Sequence, residues 1–451
     1  MANRATLNAS ANDVGIAAPV TITAHGLAPN EHVALSSELT DEAGRVWRSD
    51  AIYASDAQGR FKTDKDAAGA GRYEGVDIGG PFWSPAPPGG REAYLAQIFA
   101  GPPAPLAPEI DPLGATTWCI GAAQGGRTVA EISIVRRRLT GGVRHQVVRD
   151  GPLRGHYFEP EGAPPYPAVL VLGGSEGGVI PTRAAALAAE GMAALSLGYF
   201  DYEDRPRAAI NLPIEYFVEG LRWLARRARG KVAIWGSSRG SEAAILTAAH
   251  APDLVDAVIG WVPSHVVNTG FDMVGGVDFS LMRDAMWTID GRPVAGAPDE
   301  AHTPDRLAAR AEAFKSPPGY RFADEFMALW TRKGCEDAYA LPAERIEAPI
   351  LLVSGGDDAI WPSAYAADRL ERRLKSLSFG FPVRHVCYPG VGHAIGVPNE
   401  PRPFSDIAHW CEGYSGVDNG FVAYGGTPAA NAAAARAAWG EATSFLLGAL
   451  S

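Results

Sequence analysis

Over roughly the first 140 residues, apolar and polar positions alternate in short runs. Examples are VTITAHGL (Val20 to Leu27), HVALSSEL (His32 to Leu39) and VWRSDAIYA (Val46 to Ala54). A period of two sends successive side chains to opposite faces, which is the pattern of a strand with one buried face. Turn-forming groups separate the runs: Pro29-Asn30, Asp41-Glu42-Ala43-Gly44 and Asp56-Ala57-Gln58-Gly59. Long helical periodicity is absent, so residues 1–140 are predicted to form a β-sandwich. A Pro/Gly-rich loop (Pro81 to Gly90) and GPPAPLAP (Gly101 to Pro108) interrupt its later strands. The strand ending in Arg136-Arg137-Arg138 closes it, with these arginines expected on a solvated face.

From about residue 141 the pattern changes. Two hairpin-like strands, VRHQVV and LRGHYFEP, lead into the continuous apolar runs AVLVL, AALSL, VAIW, AVIGW and PILLVS. Helical periodicity falls between or after most of them, at Pro181 to Glu190, Leu212 to Arg229, Ser241 to His250 and Ala364 to Leu377. Strands apolar on both faces, alternating with helices, predict a mostly parallel sheet covered on both sides. Residues from about 268 to 345 offer no clear strand but include helical stretches such as DRLAARAEAF, and are expected to form a cap-like insertion. A last helix, roughly Ala429 to Leu450, carries the apolar stripe Ala438, Trp439, Ala442, Phe445, Leu446 and Ala449. The chain therefore divides into domains at 1–140 and 141–451.

Bulk composition narrows the function classes. With 451 residues, 47% hydrophobic and 20% charged, the chain is a globular protein large enough for two domains. A net charge of −11 opposes general binding to nucleic acid or to an anionic membrane. Four cysteines (Cys119, Cys335, Cys387, Cys411) form no C-x-x-C pair, so reduced thiols are expected and no metal or cofactor is called for. The opening MANRATLNASANDVG has no apolar h-region and no run of 18 apolar residues follows, so the expected location is cytoplasmic.

The most specific chemical signal is KVAIWGSSRGSE (Lys231 to Glu242). A β-rich run leads into Gly236-Ser237-Ser238-Arg239-Gly240, and a helix-forming stretch follows. This is G-x-S-x-G in the strand–turn–helix setting of a nucleophile elbow, with Ser238 expected at an exposed tip. A second match, Gly173-Gly174-Ser175-Glu176-Gly177, also follows an apolar strand. That strand opens the parallel series, where such a sheet carries its oxyanion loop, so Ser238 is favoured over Ser175 as nucleophile.

A serine hydroxyl needs a base to remove its proton. His393, in the glycine-flanked loop YPGVGHAIG after a strand, is the candidate. Asp358 in SGGDDAIWP is the candidate orienting acid, with adjacent Asp357 as its competitor. Oxyanion donors are expected from the backbone N–H of Arg239 and of Ser175 or Glu176. These features predict a serine-dependent acyl-transfer enzyme.

Blocks along nearly the whole chain resemble the acyl-CoA thioesterase / bile acid-CoA:amino acid N-acyltransferase family. They include GLAPNEHVALSSELTDEAGRVWRSDAIYASDAQGRF and YEGVDIGGPFWSPAP in the first domain. In the second they include VVRDGPLRGHYFEPEGAPPYPAVLVLGGSEGG, LPIEYFVEGLRWL, GSSRGSEAAIL and GGDDAIWPS. The resemblance implies an immunoglobulin-like sandwich followed by an α/β-hydrolase domain. It also implies an acyl thioester substrate, CoA- or carrier-protein-linked, attacked by a serine or cysteine. With serine in place, hydrolysis is the expected outcome; transfer to an amine or alcohol, and hydrolysis of simple esters, are the alternatives. For a polyanionic carrier, Arg205, Arg207 and Arg239 are candidate contacts, while Tyr199, Phe200 and Trp361 are candidates to line an acyl pocket, with core packing the alternative for Phe200.

Overall fold

The computed structural model describes residues 4–100, 105–271, 284–298, 304–414 and 417–451. The expected insertion about 268–345 and the segment 101–108 therefore lie partly outside the described residues. The chain forms two compact units. One comprises 1–140 with 396–405 and 427–437, and the other 141–395, 406–426 and 438–451. The two later segments, expected in the second domain, thus belong to the first unit.

The first unit contains a three-stranded and a six-stranded sheet. In the larger one, His32–Thr40 pairs antiparallel with Val46–Ala54 and with Ala115–Gln124, which pairs in turn with Arg127–Arg137. The alternation is literal: Val33, Leu35 and Leu39 are buried while their neighbours are not. A helix, Arg91–Ala100, was not foreseen. The arginine triplet also departs from expectation. Arg137 is solvated and pairs with Asp13, but Arg136 and Arg138 point inward. Arg136 donates to the carbonyls of Ile16 and Ala18 and stacks over Phe82. Burial lowers its pKa to about 9. On a strand the period of two decides, so two of three consecutive arginines face one side whatever their charge.

The second unit is built on one eight-stranded sheet. Its strands are β1 (Val143–Asp150), β2 (Leu153–Pro160), β3 (Tyr166–Leu172), β4 (Ala193–Leu197), β5 (Arg229–Ser237), β6 (Ala257–Trp261), β7 (Ile350–Gly355) and β8 (Val383–Tyr388). Their spatial order is β1-β2-β4-β3-β5-β6-β7-β8. β1 and β2 run antiparallel to their neighbours, and all pairs from β4 to β8 are parallel. Every residue of β4, β6 and β7 is buried, as the uninterrupted apolar runs required. Each buried Val, Leu or Ile adds about 1.5–3 kcal/mol relative to an exposed one.

Helices α1 (Pro181–Ala189), α2 (Ile214–Ala228), α3 (Arg239–His250) and α4 (Ser363–Ser376) occupy the predicted stretches to within a few residues. The last helix, α5, spans Pro428–Leu450. Between β6 and β7, helices Pro304–Ala313, Ala323–Trp330 and Cys335–Tyr339 are present. Contrary to expectation this region also holds strands, Trp287–Ile289 and Arg292–Pro293, in a small sheet with Leu212–Pro213. A hairpin of Ile407–Tyr414 and Val417–Ala423 was likewise unforeseen. Among the described residues no helix is long and apolar enough to cross a membrane.

Candidate active site

β5 ends at Ser237 and α3 begins at Arg239, so Ser238 is the single residue at the turn. Its φ of 52° and ψ of −122° lie where L-residues rarely sit, a conformation that costs on the order of 1–3 kcal/mol. Local hydrogen bonds offset this. The Ser238 N–H donates to Trp261 O at 2.8 Å, and Ser241 donates to Ser238 O through its N–H (2.9 Å) and hydroxyl (2.7 Å). The two motif glycines are sterically required. A Cβ on Gly236 would stand 1.9 Å from Gly240 O, and one on Gly240 would stand 2.1 Å from Gly173 O. Ser238 is not the exposed tip that was expected: only 7% of it is accessible.

Ser238 Oγ lies 3.0 Å from His393 Nε2, and His393 Nδ1 lies 2.8 Å from Asp358 Oδ2. The carboxylate fixes which ring nitrogen carries the proton, leaving Nε2 as acceptor toward the serine hydroxyl. Asp358 is itself held, because its Oδ1 accepts the N–H groups of Ile360 and Trp361. Asp357 turns elsewhere: it pairs with Arg321 and accepts the Gly426 N–H. The His393 loop is tied at two points, by the His393 N–H to Tyr424 O (2.7 Å) and by the Trp261 indole N–H to Ile395 O (2.8 Å). Trp361 and Tyr424 stand edge-on to the imidazole.

The GGSEGG loop reaches the same place. The residue that packs on Ser238 is Gly174, which sequence reasoning did not single out; a Cβ there would lie 2.9 Å from Ser238 Cβ. Ser175 and Glu176 form the turn that follows. Arg239 opens α3, where backbone N–H groups lack intrahelical acceptors. Its side chain is stacked over Phe271 and Trp361 and donates to Glu242 Oε1 at 3.2 Å. Glu242 is fully buried, which pushes its carboxyl pKa up. It also receives the Asn268 N–H and side-chain amide and the Trp287 indole N–H.

The other candidates fall differently. Tyr199 is a core residue packed on Phe200, Phe217 and Trp287. Its hydroxyl donates to Gly173 O at 2.8 Å, pinning the GGSEGG loop, and burial raises its pKa well above that of free tyrosine. Trp361 is buried beside His393, with its indole N–H on Val262 O. Arg205 stacks on Tyr216 and lies near Asp204, while Arg207 is exposed. Arg183 was missed altogether. It is buried behind the elbow, donates to Ser237 Oγ and stacks on Trp235 and Trp261. No sequence signal marks it, since α1 reads as an ordinary alanine-rich helix. Away from the triad, ligand atoms of Glu215, His250 and Asp290 lie within 4.8 Å of one another, but His250 and Asp290 are exposed and Glu215 is half-buried.

Two sequence models of one family match the chain. The acyl-CoA thioester hydrolase/BAAT N-terminal region covers residues 17–150, and the BAAT / acyl-CoA thioester hydrolase C-terminal region covers 305–451. Mouse acyl-coenzyme A thioesterase 2, mitochondrial, is 28% identical over 431 residues, 95% of this chain and 85% of the relative. Human acyl-coenzyme A thioesterase 1 is 28% identical over 431 residues, 95% of this chain and 92% of the relative. Among solved structures, an esterase of the bacterial hormone-sensitive lipase family is similar at a TM-score of 0.39 with 15% identity, covering 69% of this chain and 86% of its own. A dienelactone hydrolase from Anabaena variabilis gives 0.31 with 18% identity, covering 56% and 88%.

Proposed function

This chain belongs to the acyl-CoA thioester hydrolase/BAAT family, and from that premise we propose that it hydrolyses acyl-CoA thioesters through an acyl-Ser238 intermediate. The observation that carries the proposal is the continuous relay from Ser238 Oγ through His393 to Asp358, at 3.0 Å and 2.8 Å. In the first half-reaction His393 Nε2 takes the hydroxyl proton as Oγ attacks the thioester carbonyl. The oxyanion is received by the backbone N–H of Arg239 and one from the Ser175–Glu176 turn, each such donor being worth about 10²–10³ in turnover. The tetrahedral intermediate then collapses, the C–S bond breaks and the imidazolium proton passes to the departing thiolate. In the second half, His393 deprotonates a water that attacks the acyl ester, and the proton returns to Ser238 Oγ as the free acid leaves.

Asp358 has the orienting role in this scheme because its carboxylate, and not that of Asp357, meets the imidazole. The first unit is taken as an immunoglobulin-like sandwich, supported by its two sheets and their antiparallel pairs. The helices between β6 and β7 are taken as a cap. The free thiols Cys119, Cys335 and Cys387 support a cytoplasmic location.

The test is product analysis. Purified protein is incubated with a panel of acyl-CoA thioesters, with and without glycine or taurine, and the products are identified by mass spectrometry. Free acid and CoA in equal amounts are expected in both arms. Predominant formation of amide conjugates would replace hydrolysis by acyl transfer.

A further inference from the structure

We infer that Glu176 selects acyl groups carrying a cation a few bonds from the thioester carbonyl, an inference that rests on Ser238 being the nucleophile. A methyl group placed on Gly174 would stand 2.7 Å from Glu176 Oε2 and 2.9 Å from Ser238 Cβ. One placed on Gly173 would stand 3.2 Å from Glu176 Oε1. The carboxylate is therefore folded back over the two glycines, on the side of the loop that faces the nucleophile.

Among the described residues no donor or cation pairs with this carboxylate. Arg239 is bonded to Glu242, Arg183 to Ser237 Oγ, and Asp358 faces His393. Glu176 thus places a carboxylate without such a partner next to the loop expected to receive a developing oxyanion. Glu176 itself is exposed, so solvent screens part of the repulsion between the two charges, but the glycines it lies against and Ser238 are buried, which keeps the field at the nucleophile appreciable. A neutral acyl chain leaves that repulsion uncompensated. An ammonium or trimethylammonium group on the acyl chain would neutralise Glu176 and add attraction in the bound state and in the transition state.

The sequence departs from its surroundings at this point, since glycines flank the loop and only Ser175 and Glu176 carry functional side chains. Glu176 acts here as a specificity residue that touches substrate. It has no part in proton transfer, which His393 performs.

The experiment compares two acids of the same shape that differ in one charge, 4-(trimethylammonio)butanoate and 5,5-dimethylhexanoate, each as its CoA thioester and as its 4-nitrophenyl ester. kcat/KM is measured for the full-length wild type and for Glu176→Gln. The wild type is expected to prefer the cationic member by on the order of tenfold. Glu176→Gln should bring the ratio close to one, with the neutral substrate gaining several-fold. A wild-type ratio at or below one, or a ratio unmoved by Glu176→Gln, overturns the inference. Cleavage of the nitrophenyl esters without the thioesters would refute the thioesterase reading alone, because the ratio is still read on the esters. Absence of turnover on both leaving groups refutes both.

Discussion

Asp358 and Asp357 are neighbours in sequence and face opposite partners. Asp358 accepts from the His393 ring at 2.8 Å, whereas Asp357 is held by Arg321 and the Gly426 N–H. Replacing each in turn separates the two roles. Asp358→Asn should lower kcat by about 10⁴, because the amide no longer holds the imidazole in the required tautomer. Asp357→Asn should leave kcat within a few-fold of wild type. Steady-state kinetics on one acyl thioester decides, and equal losses in both variants would undo the assignment.

Ser238→Ala removes the proposed nucleophile and little else. Turnover should fall by on the order of 10⁶, and labelling by a fluorophosphonate should disappear. Circular dichroism should be unchanged, since the turn is held by backbone bonds to Trp261 and Ser241. Residual labelling in the variant would move the nucleophile to Ser175.

Gly236→Ala tests the packing of the elbow. The added methyl would stand 1.9 Å from Gly240 O, a backbone atom that cannot move without shifting α3. Overpacking of this kind typically costs about 1–3 kcal/mol or more. The expected result is a lower melting temperature together with loss of labelling, whereas Gly440→Ala, in open space inside α5, should keep full labelling and raise the melting temperature slightly, since alanine is about 1 kcal/mol better than glycine in a helix interior.

Tyr199→Phe deletes the hydroxyl that ties down the GGSEGG loop and leaves Gly173 O without that donor. An unmade buried hydrogen bond costs about 1–3 kcal/mol. Loosening this proposed oxyanion loop should show as a drop in kcat of roughly tenfold by the same energy, with KM little changed. A change confined to thermal stability would limit Tyr199 to core packing.

His265 supplies a pH prediction. Its ring is buried with both nitrogens unbonded, packed on Trp330 and Tyr365, and burial pulls its pKa from 6.5 down to about 3. The folded protein therefore keeps this imidazole neutral where the unfolded chain takes up a proton. Its contribution to stability is complete above pH 6.5 and is lost as pH falls from 6.5 towards 3. The slope is at most about 1.4 kcal/mol per pH unit. In His265→Phe, the fall in melting temperature over that range should be shallower than in wild type; parallel curves would show that the ring is protonated without penalty.

Much of this molecule is written locally. Period-two alternation specified the strands of the first unit, and uninterrupted apolar runs specified β3 to β7. The G-x-S-x-G spacing, with glycines that admit no side chain, specified the elbow. Elements whose stability depends on partners were less legible. The two-residue strand Leu212–Pro213 and the three-residue strand Trp287–Ile289 are too short to show a period and exist because each pairs with the other. The helix Arg91–Ala100 lies in a region whose other apolar runs signal strands.

The sequence by itself determined which residue types are available for the chemistry and near which strand ends they lie. That information is covalent, and it follows from backbone periodicity and from the steric needs of one tight turn. Only the tertiary structure decided which of two adjacent aspartates meets the imidazole, which arginines of a triplet turn inward, and that Glu176 bends back over Gly174. Side-chain direction at such positions depends on strand register and loop closure, and these are fixed by packing between segments far apart in the chain.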